Sequence, residues 1–157
     1  MDIEAIKALF EDFDLAAFLP KLDDVIGWIE MVLRIAVMAG PLLLLGFGLL
    51  YLLAPPKEAN YSLGYRFWWG MSSLEAWTYT QRIAGMVWSA LGAALTIIMA
   101  IVCAFFRGME PMDMAWTAGI CLICELVIIG GACIAINVAV MKKFDKDGFL
   151  REEPIEK

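Results

Sequence analysis

Residues 83–106 read IAGMVWSALGAALTIIMAIVCAFF, a run without one charged side chain. As a helix rising 1.5 Å per residue it is about 36 Å long, enough to cross the roughly 30 Å hydrocarbon core of a bilayer. Arg107 ends it, and Gly108 and Pro111 follow as helix breakers. Two further apolar runs flank it. Residues 31–53 carry only Arg34, near their start, with Gly40 and Pro41 inside and Gly46 and Gly48 suited to close approach of a neighbouring helix. Residues 114–141 carry only Glu125 and stop at Lys142 and Lys143. Their length predicts tilt, or a helix that protrudes into the headgroups. The chain is therefore all-α, an integral membrane three-helix bundle with its spans at about 31–53, 83–106 and 114–141.

Composition points the same way. The chain is 62 % hydrophobic, above the roughly 45–50 % of soluble domains, and its mean hydropathy is +0.75. Its 157 residues, mostly in apolar runs, leave no room for a separate catalytic domain. Histidine is absent, which removes the commonest general base and the commonest metal ligand. No enzymatic activity, metal or cofactor is expected. Cys121 and Cys124 have the spacing of a metal or redox pair, but neither a second pair nor a histidine completes it. With Cys103 and Cys133 they read as small apolar residues suited to helix contacts.

The net charge of −6 comes largely from the N-terminal segment 1–30, where Asp2, Glu4, Glu11, Asp12, Asp14, Asp23, Asp24 and Glu30 outweigh Lys7 and Lys21. Nucleic acid is excluded as a partner on that balance. Ile3, Ile6, Phe10, Phe13 and Ala17 recur at helical spacing and predict an amphipathic N-terminal helix ended by Pro20. Leu22, Val25, Ile26 and Ile29 then restart an apolar stripe that leads into the first span. Being acidic, the N-terminal helix suits a protein or a neutral surface rather than anionic lipid. The acidic start lacks the basic region of a signal peptide, so the N-terminus is expected to be retained.

Three spans place the termini on opposite sides. The first loop, 54–82, and the charged tail, 142–157, hold eight Lys and Arg residues against four on the other side. That asymmetry predicts a cytoplasmic loop and C-terminus, with the N-terminus outside.

The first loop is too rich in specific residues to be a plain connector. It contains Asn60, then Gly64-Tyr65-Arg66, Ser72-Ser73, Glu75-Ala76-Trp77 and Gln81-Arg82, with Gly85 just inside the next span. Ser72 and Glu75 have capping-box spacing, which predicts Ser72 as N-cap of a helix that starts near Ser73 and runs on into the second span. In order and spacing these residues resemble the signature of the SdpI family of bacterial membrane proteins, and Phe144-Asp145-Lys146-Asp147-Gly148 is similar to the segment that follows its last span. The sequence departs from that pattern at Phe67-Trp68-Trp69, where the family more often has Thr and small or polar residues, and at Gln81, where His or Asn is common.

The family takes its name from an immunity protein that protects a producing cell from its own membrane-active toxin peptide. The resemblance thus implies a multi-pass protein of the bacterial cell membrane, here a short member, that confers immunity or resistance to such a peptide, with a signalling role open. A peptide toxin or a regulatory protein would be the partner beside the lipid bilayer. Asn60, Gly64, Tyr65, Arg66, Ser72, Glu75, Trp77, Gln81, Arg82 and Gly85 are the signature and candidate ligand-contact positions.

Each feature also has a plainer reading. Arg66 suits a carboxylate or a lipid phosphate through its planar fork, or simply snorkels at the interface. Trp68, Trp69, Trp77, Tyr61, Tyr65 and Tyr79 form a recognition surface or an aromatic belt. Glu125 lies mid-span, where an ionised carboxylate costs about 2.5–3.5 kcal/mol on insertion scales. It marks the alternative function, a small proton-coupled transporter or an accessory subunit, unless it is neutral and bonded to Thr96, Ser89 or a backbone carbonyl. Gly85, Ser89 and Ala93, and the pair Gly130-Gly131, predict tight helix packing within the bundle, with a homo-oligomer seam as the alternative. Asp145, Asp147 and Gly148 lack the remaining positions of a calcium loop and read as a turn.

Overall fold

The computed structural model describes residues 22–59 and 63–151. The predicted N-terminal amphipathic helix ended by Pro20, and the signature residue Asn60, lie outside the described residues. Among the described residues three long helices follow one another: α1 (Leu22–Leu53), α2 (Leu74–Phe105) and α3 (Pro111–Lys143). All three are long and apolar enough to cross a membrane. At 32, 32 and 33 residues each is about 48–50 Å long, so the helices outrun the hydrocarbon core and carry their polar ends into the headgroup layer. The first apolar run accordingly begins earlier than its charges suggest, since Leu22–Glu30 is already part of α1.

Lipid tails are as apolar as leucine, so helices in a membrane associate by close packing rather than by hydrophobic expulsion from water. Glycine and small residues set that packing between α1 and α2. A methyl group added at Gly48 would overlap the backbone of Ser89, one at Gly92 would overlap the backbone of Leu45, and one at Gly85 would lie 2.9 Å from Leu52. The seam thus includes Gly85, Ser89 and Gly92. Gly46, by contrast, faces open space.

Helix α3 leans on this pair with one face. Met114, Ala118, Glu125, Ile136 and Val140 are buried, while Trp116, Ile123, Leu126, Val127 and Ile134 stay exposed to the surroundings. Gly130 and Gly131 meet nothing within 4 Å, so the expected tight contact inside the bundle does not form there. Their side of α3 is the outward one. One core cluster, around Val37, Met99, Cys103, Phe106, Met114 and Ala118, lies at the end where α2 turns into α3. Two more, around Tyr65 with Ala84 and Ile136 and around Phe144 with Ala76 and Val140, lie at the opposite end, where the first loop meets the tail.

Candidate functional site

The signature residues gather at that second end, and the start of α2 organises them. Ser73 is the N-cap: its backbone is extended, and its hydroxyl accepts from the Ala76 amide at 3.1 Å. The predicted N-cap is therefore displaced by one residue, and the capping box does not form, because Ala76 takes the third helical position. Trp69–Met71 form a 3₁₀ turn, and Ser72 closes it in helical conformation with its amide donating to the Trp69 carbonyl. Ser72 cannot also take the extended geometry an N-cap needs. Glu75 consequently falls on the second helical position and stays exposed.

Both serine hydroxyls reach across to the C-terminal tail. Ser72 Oγ donates to the Lys146 carbonyl at 2.9 Å, and Ser73 Oγ to the Gly148 carbonyl at 2.8 Å. The tail is shaped to receive them. Asp145 Oδ1 accepts from the amides of Asp147 and Phe149, the Asx geometry that closes a tight turn. Gly148 takes a positive φ of 85°, and a methyl group there would lie 2.7 Å from Ser73 Cβ. Phe144 is buried beneath the turn, its ring 5.5 Å from that of Tyr79. The calcium-like residues thus form the expected turn.

The loop side is tied down by Gln81 and Trp77. Gln81 is fully buried, and its side-chain amide holds the Tyr65 backbone at both polar atoms, accepting from the amide and donating to the carbonyl at 2.8 Å each. This pairing mimics a strand contact at a point where no strand is present. Gly64 makes it possible: φ is +122°, and the Trp77 ring lies 2.7 Å from where a methyl group would sit. Trp77, also fully buried, donates from Nε1 to the Pro56 carbonyl at 2.8 Å. The Tyr65 hydroxyl crosses to α3, donating to Asn137 Oδ1 at 2.8 Å and lying 3.2 Å from the Cys133 carbonyl. Burial raises the Tyr65 phenol above its ordinary range, and the neighbouring Cys133 thiol adds to the effect. It remains a neutral donor at physiological pH.

The first loop, the start of α2, the end of α3 and the tail therefore form one hydrogen-bonded cap. A family model described as the SdpI/YfhL protein family matches residues 57–137. The chain belongs to this family. No curated protein and no solved structure matches it. In this SdpI/YfhL protein the matched stretch runs from the loop into α3 and stops before the tail, which joins the signature through Ser72 and Ser73.

Seen in place, the signature divides in two. Gly64, Tyr65, Trp77, Gln81 and Gly85 are buried or closely packed and hold the cap together, while Ser72 is exposed and bonds to the tail. Arg66, Glu75 and Arg82 are exposed and able to meet another molecule. Arg66 also lies in electrostatic range of the Tyr51 phenol. Among the described aromatic residues, Trp68 is 82 % exposed whereas Trp77 is inaccessible, so Trp77 is not on a surface that another molecule could touch. Sequence reasoning missed Ser73 as the cap, Asn137 as the α3 anchor and Gly92 in the seam.

Glu125 is apart from this cap. It is 3 % exposed, and its Oε1 has no hydrogen-bond partner among the described residues. The expected partners are engaged elsewhere or out of contact: Thr96 donates to the Gly92 carbonyl, and Ser89 packs against Gly48. Its neighbour is Gly40, where an added methyl group would lie 2.8 Å from Oε2. Gly40 precedes Pro41, which lacks an amide and leaves the Val37 carbonyl without its helical donor. A carboxyl group and a broken point in the α1 ladder thus share the middle of the bundle.

Proposed function

We propose that this chain is an SdpI-type membrane protein that confers immunity or resistance to a membrane-active peptide, without an enzymatic step. What supports the reading is family membership on a chain whose signature assembles one ordered cap at the membrane interface. In this reading the buried signature residues act as scaffold, and the exposed Arg66, Glu75 and Arg82 meet the peptide or a regulatory protein. Arg66 suits a peptide carboxylate, since its planar fork bonds such a group at two points. The cap faces the cytoplasm of a bacterial cell membrane, following the excess of Lys and Arg in loop and tail.

The test is survival of a sensitive bacterium that expresses the chain and is challenged with membrane-active peptides, compared at matched membrane levels with Arg66→Ala and Glu125→Gln. Protection by the wild type, lost with Arg66→Ala and kept with Glu125→Gln, is expected. Absence of protection by the wild type against every peptide tested would overturn the proposal.

One observation favours a second reading. A buried carboxyl with an unpartnered oxygen beside a proline break is suited to taking up and releasing a proton during transport. That reading expects the reverse ranking, with Glu125→Gln abolishing activity and Arg66→Ala lowering it little.

A further inference from the structure

Below the tail turn, between the start of α2 and the end of α3, lie two adjoining cavities of about 610 and 220 Å³. Lys143 and Tyr79 line both. Lys142 and Arg151 line the larger, and Arg82 lines the smaller. Four cations therefore surround one groove, and no acidic side chain among the described residues lines either cavity. The nearby acid Asp145 has its Oδ1 taken by two backbone amides of the turn.

Two of the four cations, Lys143 and Arg151, are held by neighbours in the groove. Lys143 Nζ sits 4.2 Å above the Tyr79 ring. Arg151 donates from Nε to the Phe144 carbonyl at 3.1 Å, which leaves the other donors of its guanidinium for a ligand. The deeper wall is apolar, formed by Ile83 and Met86. Its depth is that of the headgroups: α2 starts at Leu74, and its uncharged run begins only at Ile83. A cationic rim at headgroup level over an apolar wall matches a phosphate with acyl chains below it.

We propose that this groove is a binding site for the phosphate of an anionic phospholipid in the leaflet around the cap. Of the residues placed against a peptide only Arg82 also lines this groove, and its other cations, Lys142, Lys143 and Arg151, are not among them, so the site stands whether or not the chain acts against a peptide. Lipid seated there would bridge α2, α3 and the tail turn.

The full chain, reconstituted in nanodiscs of phosphatidylcholine doped with phosphatidylglycerol, is released for native mass spectrometry, and retained lipid is counted. Retention of phosphatidylglycerol over phosphatidylcholine is expected, weakened roughly thirtyfold by Lys142→Gln with Lys143→Gln, at about fivefold per cation removed near a membrane surface. Lys57→Gln with Lys146→Gln, which removes the same charge outside the groove, should leave retention unchanged. Should the groove variant fail to fold by its melting curve, Arg82→Gln alone should still weaken retention about fivefold. Equal retention of both lipids, or an equal loss from the Lys57 and Lys146 pair, would overturn the site. Displacement of the lipid by millimolar inorganic phosphate would overturn the lipid assignment in favour of a free anion.

Discussion

Replacing Gln81 by leucine keeps roughly the volume of the side chain and removes both of its polar atoms. The Tyr65 amide and carbonyl, each bonded to that side chain at 2.8 Å, then remain enclosed without partners. Leaving one buried backbone group unsatisfied costs about 1–3 kcal/mol, so the substitution should destabilise the cap by about 2–6 kcal/mol. Thermal unfolding of the purified protein in detergent, followed by tryptophan fluorescence, reads this directly because the fully buried Trp77 shares the same pocket beside Gly64. Gln81→Glu supplies an internal control. A protonated carboxyl has one donor and one acceptor, as the amide pair requires, whereas the ionised form has only acceptors facing the Tyr65 carbonyl. Its folded-state pKa is therefore raised above the unfolded value, so stability is present at low pH and lost as pH rises through the folded pKa. A Gln81→Leu protein that melts within about 0.5 kcal/mol of the wild type, the range of ordinary surface changes, would refute the reasoning.

Gly48→Ala and Gly130→Ala should differ sharply in the same melting assay. The first drives a methyl group into the Ser89 backbone and should cost about 1–3 kcal/mol, while the second meets open space and should gain up to about 1 kcal/mol of helix propensity. Gly64→Ala combines a positive φ with overlap of the Trp77 ring and should lose at least about 1–2 kcal/mol from the backbone alone. For orientation, Glu75→Cys and Lys146→Cys should resist a membrane-impermeant thiol reagent in intact cells and react in inverted vesicles. Ready labelling of both from outside would place the cap on the other side.

The spans were legible because an uncharged run of that length has few other uses, and all three helices lie where their apolar cores predicted. Their ends were less legible. Charge marks where hydrocarbon stops rather than where the helix stops, so the start of α2 at Leu74 is found from the serines ahead of Arg82, and that of α1, which already includes Glu30, from the apolar stripe that restarts at Leu22. The capping residue shifted from Ser72 to Ser73 because a 3₁₀ turn, invisible to residue spacing, uses Ser72 as its own end. The signature showed that something specific is built in the first loop, but not which of its residues are enclosed. That division depends on contacts such as Gln81 with Tyr65 and Ser73 with Gly148, pairs far apart in sequence whose backbone partners leave no trace in residue type. Glu125 stood out by depth alone, yet its neighbour Gly40 could be found only by knowing how α1 and α3 face each other.

The central claim is that loop and tail are one cap clasped onto α2, and amide hydrogen exchange of the full chain in nanodiscs tests it most directly. The amides of Tyr65, Asp145, Phe149 and Arg151 all donate within this cap, to Gln81 Oε1, the Phe149 carbonyl, Asp145 Oδ1 and the Lys143 carbonyl. Segments 63–73 and 144–151 should therefore exchange slowly, and Ser72→Ala with Ser73→Ala should speed the tail while leaving the centre of α2 protected. Fast exchange of both segments in the wild type, or a tail indifferent to the loss of both serine hydroxyls, would contradict the account.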